Sequence, residues 1–287
     1  MRIYGIDFTS RPSRAKPITC AVGELSVGSA PPAALTIREL REFSDFAEYA
    51  DVLASPGPWV LGMDCPLGLP RRLVAALGWP PRWADLLAHL ATMDEADFAA
   101  ALRDYMAARL PGDKEHFRPC DRLARSATPM KLINPPTARM LFQGVRLLHA
   151  QPTLCIPPQR PTLDNRLLLE TYPALIARRF AGRLSYKGAG TSARREARRR
   201  IVDGLLGRAP MLDGRPLAAL FGVMLTLAPG LEQSLLDDVQ GDRLDAVSCA
   251  VTAAWSALRQ ADGHGIPEWA HPDEGWIVDP GMPHEPV

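Results

Sequence analysis

Three short apolar runs along the chain each end in a carboxylate. Ile3 to Phe8 is apolar and partly β-branched, with Asp7 near its end and Thr9-Ser10 after it, which predicts a buried strand. Pro58 to Pro66 repeats the pattern with Asp64, and Arg166 to Pro173 repeats it with Glu170. Pro17 to Val22 and Ala33 to Ile37 supply two further strands of a meander. Between the strands the period changes. Ser44 to Leu53 predicts a helix with Ser44 as N-cap and Phe46, Tyr49, Ala50 and Leu53 on one face.

From about residue 70 to 160 the texture is helical, over Arg71–Leu77, Arg82–Leu90 and Asp94–Leu110. The last of these opens with Thr92 and Glu95 at capping-box spacing. An irregular stretch follows through Arg118, Asp121, Pro129 and Pro135-Pro136. This reads as a mainly helical insertion within a single domain spanning residues 1–287. Beyond the third run come a helix starting at Pro173, which suits a first turn, a Gly-rich bend at Lys187 to Gly190, and a basic helix over Ser192–Leu206. The last strong helix runs from Asp242 to about Gln260. The tail through Trp276-Ile277 is expected to dock, because both side chains are costly to leave in water. Strands alternating with helices predict an α/β protein with a mixed sheet flanked by helices.

Carboxyl ends of strands line one crevice in such a sheet, so Asp7, Asp64 and Glu170 are expected to converge. Asp242 and Asp245, three residues apart, share one helical face and add two more acids. Taken singly, a strand-end Asp is often a turn residue and Asp242 an N-cap. Asp245 is harder to dismiss, since an acid inside an apolar helix needs a partner. Converging carboxylates coexist only with a cation or a proton, and all-oxygen donors suit Mg²⁺ or Mn²⁺. Two such ions about 4 Å apart would clamp a phosphodiester.

Charge limits the substrate: Lys+Arg number 33 and Asp+Glu 32, so any polyanion must be held by a local patch. Lys187 with Arg194, Arg195 and Arg198 is the densest candidate for phosphate or nucleic-acid contact, although a solvated helix face explains the arginines equally well. Arg118, Arg122 and Arg125 are placed to approach the crevice from the insertion. Five scattered cysteines without a CxxC pair read as buried thiols. The histidines lack metal-protease spacing, and neither a Walker A loop nor a GxSxG elbow occurs. The acid at Asp7 argues against a signal peptide, and the run Leu217–Ala228 is too short to span a bilayer. A cytoplasmic protein is expected.

Several short motifs fall in one order. They are Gly5-Ile6-Asp7, Gly62-Met63-Asp64-Cys65-Pro66 continuing to Pro70, Glu170-Thr171-Tyr172-Pro173, Asp242-Arg243-Leu244-Asp245-Ala246, and Glu274-Gly275-Trp276-Ile277 before Pro280. In these the chain resembles the DUF429 family of predicted RNase H-like nucleases from end to end. The resemblance implies an RNase H-like sheet and a metal-dependent nuclease or phosphodiesterase acting on nucleic acid or nucleotides. The acids at Asp7, Asp64, Asp242 and Asp245 are also arranged as in RuvC-like resolvases, which implies that they hold Mg²⁺, with Asp7 bridging two ions. Glu170, in the family's E-x-x-P motif, would ligate or orient. Two other classes are open. An actin-like ATPase or sugar kinase needs a second core and a second phosphate loop, and neither is found. A non-catalytic scaffold would bind a protein through the insertion.

Overall fold

A computed structural model describes residues 1–188 and 191–285. In chain order it contains β1 (Arg2–Asp7), β2 (Ile18–Ser26), β3 (Ala33–Phe43), α1 (Phe46–Ala54) and β4 (Trp59–Asp64). Next come α2 (Arg71–Ala76), α3 (Trp83–Thr92), α4 (Glu95–Ala107), α5 (Pro119–Ala124), α6 (Thr137–His149) and β5 (Arg166–Glu170). The chain continues with α7 (Ala174–Ala181), α8 (Ser192–Leu205), α9 (Leu217–Phe221), β6 (Val223–Leu227), α10 (Leu231–Asp237) and α11 (Asp242–Ala257).

Among the described residues the strands form one sheet in the order β5-β4-β1-β2-β3-β6. β1, β2 and β3 make an antiparallel meander, β4 and β5 run parallel to β1, and β6 runs parallel to β3. Helices cover both faces, so this is an α/β fold with a mixed sheet.

Strand alternation divides the interior into two cores. On one face Ile3, Val60, Leu167 and Leu169 pack with α7, α8 and α11. On the other, Tyr4, Ile6, Leu61, Met63 and Leu168 pack with α1, α3, α4 and α6. Helix α11 lies across the first face and is buried almost all round, as its run of Ala, Val and Ser requires. Helices α2 to α6 occupy the segment between β4 and β5, where the helical insertion was expected.

Local differences have physical causes. The apolar run Leu217–Ala228 is two elements, because Gly222 takes a left-handed conformation (φ 64°) that closes α9 and starts β6. The stretch around Pro135-Pro136 leads into α6, whose buried Leu141, Phe142, Val145 and Leu148 carry a helical period that the prolines mask. α1 is capped one residue later than expected: the Asp45 side chain accepts from Glu48 N at 2.9 Å, and Glu48 accepts from Ser44 N at 2.8 Å. The Thr92–Glu95 capping box does not form. Thr92 donates to the His89 carbonyl at 2.8 Å, while Glu95 pairs with Arg139 and accepts from Gln143 at 2.8 Å. The tail docks as expected, with Trp276 and Ile277 buried and Ile277 bridging Glu170.

Candidate metal centre

Asp7 and Asp64 are register partners at the carboxyl ends of adjacent parallel strands. Each lies two residues beyond a glycine, so Gly5 and Gly62 share their face of the sheet. Those glycines let α11 approach. A Cβ at Gly5 would lie 2.0 Å from the Ala246 carbonyl oxygen, and one at Gly62 would lie 2.6 Å from that of Cys249. With the helix pressed this close, Asp245 in its first turns reaches the strand ends. One carboxylate oxygen from each of Asp7, Asp64 and Asp245 lies within 4.8 Å of the others.

Asp242 is beside this triad but turned toward ammonium groups. Lys187 Nζ is 3.7 Å from its Oδ1, and Lys16 Nζ is 3.9 Å from its Oδ2. Lys187 also forms an ion pair with Asp245 Oδ2, and the Tyr186 hydroxyl donates to Asp245 Oδ1 at 2.6 Å.

Burial sets the electrostatics. It pushes the Asp64 carboxyl up to about 7, with the Asp245 charge adding to the effect. It raises Asp7 well above the usual carboxylate range, against the pull of Lys187. Asp245 is also raised by burial, with Lys187 and Tyr186 opposing. Burial works against the Lys187 ammonium, yet the Asp245 and Asp7 carboxylates outweigh it and hold that group charged. The triad is therefore a set of hard oxygen donors whose own repulsion favours a cation. That donor set fits Mg²⁺ or Mn²⁺ and offers nothing to a soft metal.

Glu170 does not join the triad. Its register partner is Met63 rather than Asp64, so alternation sends it to the opposite face with Leu168. There Arg118, fully buried, donates to Oε2 at 2.8 Å and to Oε1 at 2.5 Å, and Leu67 N donates to Oε2 at 2.9 Å. Arg118 also donates to both oxygens of Asp121, at 3.0 and 2.7 Å, and to the Glu274 carbonyl at 3.0 Å. Glu170 thus anchors the insertion to the sheet. Between this cluster and Asp64 runs a narrow cleft of about 110 Å³, lined by Asp64, Arg118, Asp121, Glu170 and Tyr172 and by Thr137 and Met140 of α6. The insertion therefore walls the cleft beside Asp64.

The basic candidates separate. Lys187 belongs to the acid cluster, paired with Asp242 and Asp245. Arg198 is buried and structural, donating to the Leu236 carbonyl at 3.0 Å and the Tyr186 carbonyl at 2.7 Å. Arg195 is exposed and pairs with Asp237 at 3.3 Å. Arg194 packs over Gly188. The Gly-rich bend extends to Ala189 and Gly190, which lie outside the described residues. Of the insertion arginines, Arg118 reaches the crevice, whereas Arg122 lies over the Phe117 ring.

Sequence reasoning missed Tyr186 and Lys16, and it did not foresee that Lys187 pairs with the acids. The signal for Lys187 was the acid set itself, since convergent carboxylates demand a local cation.

Among the described residues no helix is long and apolar enough to cross a membrane. No curated protein and no solved structure gives a significant match to the chain. A family model does match it over residues 5–270, that of DUF429, described as a protein of unknown function. That span is nearly the whole chain and takes in every residue of the acid cluster, and the chain belongs to the DUF429 family.

Proposed function

We propose that this chain is a divalent-metal-dependent nuclease or phosphodiesterase with an RNase H-like core. The observation that carries the reading is the convergence of Asp7, Asp64 and Asp245 within mutual ligand reach, at the carboxyl ends of two parallel strands. A central meander extended on one side by parallel β4 and β5 supports the RNase H-like assignment. Mg²⁺ or Mn²⁺ bound there would supply positive charge against a phosphodiester and lower the pKa of water.

The chain's own residues do the rest. Asp7, Asp64 and Asp245 hold the ion; Tyr186 fixes the orientation of Asp245; Lys187 offsets the remaining charge. The cleft beside Asp64 receives the substrate. Near-neutral charge and the internal pairing of Arg195 and Arg198 favour a nucleotide or a short single strand over a duplex.

The test is hydrolysis of single-stranded, duplex, hybrid and branched nucleic acids and of dinucleotides, with Mg²⁺ or Mn²⁺. Cleavage of single strands or dinucleotides is expected. Asp245→Asn should lower it by more than the roughly 10–100-fold that loss of an outer-shell partner costs, with the fold intact by circular dichroism. A wild-type chain that hydrolyses none of them with either ion sinks the reading.

A further inference from the structure

We infer that the centre takes one divalent ion, at Asp7, Asp64 and Asp245, and that the Lys187 ammonium stands where a second ion would sit. This rests on the metal reading above and replaces the two-ion arrangement expected from the acids alone.

Three observations carry it. First, the acids divide into two groups. Among the described residues, only Asp7, Asp64 and Asp245 share ligand reach. Both oxygens of Asp242 face ammonium groups, Lys187 at 3.7 Å and Lys16 at 3.9 Å. Asp245 lies between the groups, its Oδ2 on Lys187 and its Oδ1 on the Tyr186 hydroxyl. A carboxylate has about four lone-pair sites, so Asp245, with Lys187 and Tyr186 on two of them, still has a lone pair for an ion on the triad side.

Second, Lys187 is held in place. The Tyr186 carbonyl accepts from buried Arg198 at 2.7 Å, and Gly188 N donates to the Val239 carbonyl at 2.7 Å. Gly241, left-handed at the head of α11 (φ 77°), packs against this segment: a Cβ there would lie 3.1 Å from Tyr186 Cε2 and 3.2 Å from Lys187 Cγ. The lysine stem therefore runs over the helix terminus by construction, with partners on both sides of it in sequence.

Third, the charges balance with one ion. Once a bound ion has displaced their protons, the four carboxylates of Asp7, Asp64, Asp242 and Asp245 against Lys16 and Lys187 leave two negative charges, which one divalent cation neutralises. A second ion would leave the cluster positive by two and would press against an anchored ammonium. In this arrangement Lys187 supplies fixed positive charge on the Asp242 side of the substrate phosphate, a place that a two-ion centre gives to metal.

Counting bound Mn²⁺ by calorimetric titration and electron paramagnetic resonance tests this without reference to activity. Wild type is expected to bind one ion with the signal of an isolated Mn²⁺. Lys187→Met should bind two, with a spin-coupled signal, while Lys187→Arg, which keeps the charge, should stay at one. Two coupled ions in wild type overturn the inference and leave the metal centre standing, and that result needs no variant to fold. One ion in both wild type and a folded Lys187→Met also overturns it. No ion in any of them removes the metal centre itself, and this inference with it.

Discussion

Arg118 is the side chain on which two buried carboxylates depend, and it shows how alike a structural acid and a ligand look in sequence. Glu170 ends its strand as Asp64 does, but its charge is met by Arg118 and by Leu67 N. Arg118→Ala would leave Glu170 and Asp121 buried without a counter-charge. Breaking a buried pair in this way costs about 3–5 kcal/mol. Urea unfolding should therefore show a loss of that order, partly recovered when Glu170→Gln is added, because one unpaired charge is then gone. A loss below about 1 kcal/mol would mean that the pair is solvated and does not anchor the insertion to the sheet.

The contact of α11 with β1 and β4 decides whether the acids meet at all. Gly5 has α11 backbone where a side chain would go, at 2.0 Å from Ala246 O and 2.3 Å from Ala250 N. Because those neighbours are backbone, Gly5→Ala must lift the helix rather than turn a rotamer. Overpacking of this kind costs about 1–3 kcal/mol, and lifting α11 carries Asp245 away from Asp7 and Asp64. The variant should melt lower, and its folded fraction should bind Mn²⁺ more weakly. Wild-type affinity in a destabilised variant would separate the close approach from the metal geometry. At this scale much was legible in the pattern. Apolar runs ending in acids placed β1, β4 and β5, and the Asp242–Asp245 spacing placed one helical face. What the pattern lacked was register. A shift of one residue, Met63 rather than Asp64 opposite Glu170, moves a carboxylate to the other side of the sheet. Proline punctuation likewise hid α6, and an apolar run of uniform texture hid the turn at Gly222 between α9 and β6.

Across the whole molecule the charges nearly cancel, so the acid cluster is a local excess that the fold sustains at a cost. Its carboxyls are raised by burial, Asp64 to about 7, with Asp7 and Asp245 raised as well. Between the ordinary carboxylate range near 4 and about pH 7, the folded chain holds protons that the unfolded chain has released. The unfolded state then binds fewer protons, so stability without metal falls as pH rises through that window. A divalent ion needs the deprotonated acids, so its affinity moves the other way. Below pH 7 the apparent Kd for Mn²⁺ should weaken by about tenfold per pH unit for each proton displaced. Above the window, an ion at a hundred times its Kd should stabilise the fold by about 2.7 kcal/mol. Melting curves with and without saturating Mg²⁺ or Mn²⁺ should therefore lie close together at pH 5.5 and diverge by pH 8. No shift at either value would show that the acids bind no ion, and equal shifts at both would show that they are ionised throughout and not raised by burial.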